Sequence, residues 1–428
     1  MRYIGIIILL VLCLTLLLFT GSMINTVKPE PASGNLENQE DINQSSNNFQ
    51  SSSTGPIYEP GTEEEDTEEL GTVYPQKWAT GDGTVENPWA NDCIKKALDF
   101  APAGGTIFLK TGYYILSDVI IIDKKINIIG EGRDHTIIKT ANEFGFEINK
   151  IDYVSIKNLT IDGDAQTDGQ QYLTCILIAG SDYVSLEDIE VKNAGYYGIN
   201  LYQDNHLLCQ NIYAHDNYRH GLHPGSDTAG RNKYNTYRDI YAWDNGINGF
   251  DDRGISIDPT EETNNVFDNI HCWDNGEYGI AMTEQSGVIL SNSTVSGNGK
   301  SGMWLSTLHN FNISNCSATL NNELGIYLRN SKNVNLTNVI VKNNNISDTD
   351  YIGGTKIENS SGIKFTSCQS YDDRDTPLQL YGIELYGTNT GISLLNCKLT
   401  PNKEGEIYNP AGVVLTIITE TSKSSKIP

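Results

Sequence analysis

The chain is poor in methionine, with 4 in 428 residues, and poor in bases, with 29 Lys and Arg against 54 Asp and Glu. A formal net charge of −25 excludes an ordinary nucleic-acid binder, which has to neutralise a phosphate backbone. Helical bundles are rich in Ala, Leu, Glu and Lys. Here only 19% of residues are charged, and the abundant types include 40 Gly and 44 Asn. The 8 cysteines contain no Cys-x-x-Cys pair, which removes a zinc ribbon. A complete calcium-loop motif is missing as well.

The N-terminus carries an export pattern. Arg2 precedes an uncharged apolar run over residues 3–19, followed by Thr20-Gly21-Ser22. A charged start, an apolar centre and small residues behind it read as a secretory signal. A run of about 17 residues is also the lower limit for a spanning helix. Residues 1–22 are therefore expected to be a cleaved signal or a retained anchor, and any membrane contact is expected through them alone. Residues 23–75 hold 11 acids and one base, Lys28, with little to bury. Such composition predicts a disordered acidic linker. Residues 76–428 are expected to be the folded domain, a monomer working outside the cell or anchored at its surface.

That domain repeats. Tyr183-Val184-Ser185-Leu186-Glu187-Asp188-Ile189 aligns with Val288-Ile289-Leu290-Ser291-Asn292-Ser293, Phe311-Asn312-Ile313-Ser314-Asn315-Cys316 and Val334-Asn335-Leu336-Thr337-Asn338-Val339. A polar turn follows each, and then a short strand after a glycine: Gly198-Ile199-Asn200-Leu201, Gly279-Ile280-Ala281-Met282, Gly302-Met303-Trp304-Leu305, Gly325-Ile326-Tyr327-Leu328 and Gly382-Ile383-Glu384-Leu385. From Gly279 to Gly302 and from Gly302 to Gly325 the spacing is 23 residues. Strands this short cannot bury a face alone, so the repeat predicts a stacked solenoid. Period-2 alternation and β-branched residues select an all-β parallel β-helix of about eleven coils over a helical solenoid. The segment Asn91-Asp92-Cys93-Ile94-Lys95-Lys96-Ala97-Leu98-Asp99-Phe100 reads as an N-terminal capping helix, with Asn91 or Asp92 as its N-cap. Cys316, Cys368 and Cys397 follow one local pattern and are expected at equivalent interior positions as free thiols.

Trp78-Ala79-Thr80-Gly81-Asp82-Gly83, the capping helix, Gly104-Gly105-Thr106-Ile107-Phe108-Leu109, Gly112-Tyr113-Tyr114 and Ile128-Ile129-Gly130-Glu131-Gly132 together resemble the opening of pectate-lyase-like right-handed parallel β-helix proteins. The resemblance spans about residues 76–418. It implies the fold and leaves the reaction open, since that superfamily holds lyases, hydrolases, epimerases and noncatalytic surface proteins.

Titrating residues gather in three coils. Five of the 7 His (His206, His215, His220, His223, His271) and four of the 8 Arg (Arg219, Arg231, Arg238, Arg253) lie between 206 and 271. Superposing the post-glycine strands turns Ile199, Leu222, Phe250, Ile280 and Met303 inward. Asn200, His223, Asp251, Ala281 and Trp304 then form one outward column, and Tyr202, Gly225, Arg253, Thr283 and Ser306 a second. Asp252 falls at an inward position unless a bulge turns it out. Residues 225–233 and 256–262 are insertions, expected to wall a groove on this face.

Abstracting the C5 proton of a uronic acid needs a base within reach and neutralisation of the sugar carboxylate. His223 or His220 would be the base and Asp251 its partner. Arg253, Arg219 or a cation would neutralise, with Asp252 adjoining. A tyrosine, Tyr197 or Tyr278, would return a proton. Trp304 and Tyr327 offer faces for sugar rings, and Asn200, Arg231 and Lys233 further substrate contacts. Asp227, Asp251, Asp252 and Asp258 offer the hard oxygen ligands that calcium takes; no organic cofactor is implied. The coils Arg219-His220-Gly221-Leu222-His223-Pro224-Gly225 and Gly249-Phe250-Asp251-Asp252-Arg253 resemble those of secreted mannuronan carbon-5 epimerases and related lyases. Those enzymes use a Gly-Phe-Asp-Pro-His stretch, whose Asp-Pro-His appears here as His223-Pro224-Gly225. The expected partner is an acidic polysaccharide or surface glycan, handled by a lyase or epimerase. Two alternatives stay open: a glycoside hydrolase, for which Asp251-Asp252 would supply carboxylates, and a noncatalytic glycan-binding surface protein.

Overall fold

Strands of three to eight residues recur through the chain, each long enough for two or three inward side chains and too short to be stable unstacked. The computed structural model describes residues 71–140, 145–163, 174–225, 232–253, 263–348 and 353–419, with backbone only at Asp252 and Arg253. The expected signal or anchor and nearly all of the linker lie outside these residues. Among the described residues no helix is long and apolar enough to cross a membrane.

The strands stack as a parallel β-helix. One wall is a sheet of twelve parallel strands, one more than the count of coils read from the repeat. In chain order they are β1 (Ile120–Ile122), β2 (Phe146–Asn149), β3 (Ile176–Ala179), β4 (Tyr197–Tyr202), β5 (His220–Gly225), β6 (Phe250–Arg253), β7 (Ile280–Thr283), β8 (Met303–Ser306), β9 (Ile326–Arg329), β10 (Thr355–Glu358), β11 (Tyr381–Tyr386) and β12 (Gly405–Tyr408). The remaining strands form a second sheet of twenty, kinked once per coil. The kink falls at residues in the left-handed region, such as Asp188, Asn211, Asp239, Asn269 and Asn292. Asn and Asp tolerate that conformation better than other side chains, which explains their abundance.

The wall strands pair in the register that the alternation predicts. Ile199 pairs with Leu222, Leu222 with Phe250, Phe250 with Ile280, and Ile280 with Met303. All five are fully buried. Cys316 and Cys368 are buried and free, while Cys397 is only half-buried. Each thiol donates to the carbonyl two residues before it, at Ser314, Thr366 and Leu395, so the three share one position.

At one corner an asparagine ladder runs up the stack. The side-chain amide of Asn217 donates to Oδ1 of Asn245 at 2.9 Å. Asn245 donates to Asn275, Asn275 to Asn298, Asn298 to Asn321 and Asn321 to Asn344, at 2.9–3.0 Å. The residue before each of the five asparagines from Asn245 to Asn344 has positive φ: Asp244, Asp274, Gly297, Leu320 and Asn343. That conformation turns the next side chain into the stack, where it satisfies backbone groups that a corner leaves unpaired.

The capping helix α1 (Cys93–Phe100) buries Cys93, Ile94, Ala97 and Leu98 at the N-terminal end of this core. Asp92 occupies the N-cap position, but its side chain makes no capping bond. Its φ of 53° aims the carboxylate away from the helix, and it accepts from the Ser117 hydroxyl instead.

Candidate active site

The site grows from the residues on either side of one structural glycine. In β4 and β5, and again in the two coils that follow, the position before that glycine is filled by Tyr197, His220, Asn248 and Tyr278. These four stack on successive rungs. The Asn248 N–H donates to His220 Nδ1 at 3.2 Å, and the Tyr278 N–H donates to Asn248 Oδ1 at 3.1 Å. With Nδ1 accepting, the proton of neutral His220 resides on Nε2.

That nitrogen faces Asp251. His220 Nε2 lies 3.4 Å and His223 Nδ1 3.1 Å from Asp251 Oδ2. The carboxylate and His220 are buried, whereas the His223 side chain keeps 15% of its surface exposed. The Tyr197 ring stacks on both imidazoles, 5.2 Å from His220 and 4.4 Å from His223. Tyr197 is therefore nearly buried and packs the two histidines, rather than standing open as a substrate contact. Asp251 Oδ2 thus lies between two imidazole nitrogens at ion-pair distance. His223 directs Nδ1 inward and keeps Nε2 as its basic nitrogen.

A cavity of about 560 Å³ opens beside this cluster, lined by Arg219, His220, Asn248, Asp251, Glu277, Tyr278, Thr283, Glu284 and Trp304, among others. His223 adjoins Asp251 outside that lining. Arg219 holds the Tyr196 hydroxyl and lies over the Tyr196 ring at 4.8 Å, with its backbone fixed by the Tyr196 carbonyl. Tyr278 and Trp304 stack at 5.9 Å. Burial raises the Tyr278 phenol above its ordinary pKa, against the pull of Lys300, and so keeps it protonated. Lys300 pairs with Glu277 at 2.8 Å, which neutralises one of the three carboxylates on the cavity wall.

Other candidates fall elsewhere. Asn200 pairs with His223 by backbone and belongs to the cluster's rim. Tyr327 continues the column two rungs beyond Ala281, but its hydroxyl is taken by Glu358. Lys233 sits at a different corner, where its backbone bridges Asn205, and is absent from the cavity wall. The β6–β7 ladder runs without a bulge, pairing Asp252 with Met282 and Arg253 with Thr283. Arg231, Asp227 and Asp258, and most of both expected wall loops, lie outside the described residues.

The calcium proposal can be weighed on Asp251 alone. Its neighbours are two imidazole nitrogens, and the three donor atoms lie within 4.8 Å of one another. Nitrogen donors suit borderline ions of the zinc type, whereas calcium takes six to eight oxygens. Of the four expected ligands, only the Asp251 side chain lies among those described, and two imidazole nitrogens flank it.

Sequence reading missed Asn248, whose signal was its place before Gly249, matching His220 before Gly221. It also missed Glu384, in a strand otherwise read correctly.

The fold and this geometry define a right-handed β-helix protein with a histidine–aspartate cluster on its parallel wall. The chain belongs to the family described as Pel9A-like, right handed beta helix region, whose model matches residues 72–310; a second model, right handed beta helix region, matches residues 253–419. No curated protein matches the sequence. Among solved structures, the A-module of the Azotobacter vinelandii mannuronan C-5 epimerase AlgE6 is 16% identical with a TM-score of 0.51, covering 81% of this chain and 99% of that one. The Streptococcus pneumoniae surface adhesin PfbA is 11% identical with a TM-score of 0.59, covering 82% and 93%. The catalytic unit of a GH87 α-1,3-glucanase from Streptomyces thermodiastaticus is 14% identical with a TM-score of 0.57, covering 81% and 67%. At these identities the likeness is one of fold.

Proposed function

We propose that the protein acts on an acidic polysaccharide outside the cell or at its surface, abstracting the C5 proton of a uronate as a lyase or epimerase. The observation that carries this reading is the convergence of His220 and His223 on Asp251 Oδ2, at 3.4 and 3.1 Å, beside an open cavity that also holds Arg219 and Tyr278. His223 Nε2 takes the proton. Asp251, with Oδ2 3.1 Å from Nδ1, stabilises the imidazolium that forms, as the carboxylate of a catalytic triad does. His220 has Nδ1 occupied and Nε2 turned to Asp251, so it positions the carboxylate. Arg219 offsets the charge that develops on the sugar carboxylate. Tyr278, kept protonated by burial, returns a proton to C5 from the other face (epimerisation) or to the departing glycosidic oxygen (β-elimination).

The test is incubation with a panel of uronate polysaccharides. Absorbance of an unsaturated uronate reports elimination, and hydrogen exchange at C5 without scission reports epimerisation. His223→Ala and Asp251→Asn are each expected to lower turnover by ~10²–10⁴-fold. Wild-type turnover in both variants, with circular dichroism unchanged, rules the assignment out. A second reading, glycoside hydrolysis, is favoured by one fact: Asp251, Glu277 and Glu284 line the same cavity. New reducing ends without unsaturation or exchange would select it. Loss of activity in chelator, restored by zinc, would instead make His220, His223 and Asp251 metal ligands.

A further inference from the structure

A second cavity lies at the far end of the same wall. It measures about 320 Å³ and is lined by Tyr381, Glu384, Tyr386, Lys403, Glu404 and Tyr408, with Leu380. Glu384 sits in the outward column that begins at His223. The backbone pairs Asp251 with Ala281, Ala281 with Trp304, Trp304 with Tyr327, Tyr327 with Lys356, Lys356 with Glu384, and Glu384 with Tyr408. Five rungs at ~4.8 Å separate Asp251 from Glu384, or ~24 Å along the wall.

Glu384 is 1% exposed, and neither carboxyl oxygen completes a hydrogen bond of normal geometry among the described residues, although the Gly353 amide approaches the carboxyl. Nearly all buried side-chain oxygens in folded proteins have one. Burial pushes its pKa up to about 7, against the opposing pull of the Lys356 ammonium and the Gly353 amide. Lys356 is committed elsewhere, over the Tyr386 ring at 4.3 Å and the Tyr327 ring at 5.2 Å. Lys403 pairs with Asp348 at 3.2 Å. Tyr408 packs its ring 5.2 Å from Tyr381 and 5.5 Å from Tyr386. The cavity thus presents three phenol rings, one carboxyl with unmet hydrogen-bonding capacity, and a second carboxylate, Glu404. A protonated carboxyl donates one hydrogen bond and accepts others, which matches adjacent hydroxyls on a sugar ring. Lys356 and Lys403 balance Glu404 and Asp348, so with Glu384 neutral these groups carry no net charge, which suits a neutral sugar.

We infer that this cavity is a second carbohydrate site, separate from the histidine–aspartate cluster, which holds a neutral sugar ring against Tyr408 and hydrogen-bonds it through the Glu384 carboxyl. The inference stands whether or not the proton-transfer reading holds. The groups facing Glu384 are Lys356 from β10, Tyr381 and Tyr386 from its own strand, Tyr408 from β12, and Lys403 and Glu404 from the preceding turn.

The experiment is calorimetric titration of the full chain with neutral hexasaccharides (cellohexaose, maltohexaose, mannohexaose, xylohexaose), a galacturonate hexamer and a glucosamine hexamer. At least one neutral hexamer is expected to bind at pH 6, with affinity falling toward tenfold per unit once pH passes 7. Glu384→Gln keeps donor and acceptor without a titrating proton, so it should bind at both pH values with the pH dependence gone. Tyr408→Ala should weaken binding at least tenfold, and His223→Ala should leave it unchanged. The proposal is overturned if no neutral hexamer binds, if a charged hexamer binds more tightly than every neutral one, or if Glu384→Gln retains the pH dependence. Equal loss in His223→Ala would overturn it too, because the binding would then belong to the other site.

Discussion

Replacing Asn275 by alanine removes one rung of the buried ladder and allows its energetics to be worked out bond by bond. Asn275 Oδ1 accepts both the backbone N–H of Asn245 at 3.1 Å and its side-chain amide at 2.9 Å. Its own amide donates to Asn298 Oδ1 and to the carbonyls of Ala242 and Trp273. In Asn275→Ala the two Asn245 donors face a hole. Asn298 Oδ1 keeps the Asn275 backbone N–H and is not orphaned. A buried donor left unmade costs ~1–3 kcal/mol, so two of them predict a loss of about 2–6 kcal/mol. The control is Asn312→Ala. Asn312 Oδ1 accepts from Asn335 at 2.9 Å in the same rung-to-rung manner, but both are exposed, so water replaces the bond and the change should stay within ~0.5 kcal/mol. Guanidinium unfolding followed by far-ultraviolet circular dichroism measures both. Hydrogen exchange should show the loss centred on the coils of Asn245 and Asn275, because a solenoid repeat contacts only its neighbours. Equal effects of the two substitutions, or less than 1 kcal/mol at Asn275, would refute the premise that burial and not the ladder itself sets the value.

Two further outcomes follow from the opposite wall and the corner glycines. Burial alone would raise Glu190, but hydrogen bonds from His215, Thr160 and Lys192 outweigh it and hold the carboxyl at about 2, below its ordinary 4.5. This stabilisation is present above pH 4.5 and is lost as pH falls toward 2. After allowance for solvent screening it amounts to about 1–2 kcal/mol. Thermal unfolding of Glu190→Gln against wild type should therefore differ at pH 7 and converge by pH 2. At Gly276 an added Cβ would meet the Gly246 carbonyl oxygen of the preceding coil at 2.1 Å, so Gly276→Ala should cost ~1–3 kcal/mol in the same denaturation assay.

The sequence by itself determined which residues share a wall. Period-2 alternation leaves each short strand only two faces, and the glycine before it marks the register. Ile199, Leu222, Phe250, Ile280 and Met303 could therefore be set inward, and His223 beside Asp251, without coordinates. The same marker held the signal for Asn248, since the residue before the glycine recurs once per coil. Other contacts depended on how far the intervening chain travels. Coils vary from 21 residues upward, and insertions shift the corners, so the ladder from Asn217 to Asn344 and the placement of Lys233 away from the cavity required the folded stack. Only the tertiary structure fixed the His220 tautomer, through one backbone N–H of Asn248 a full coil away. The burial of Glu384 likewise came from neighbours in space, with the Gly353 backbone packed against its side chain.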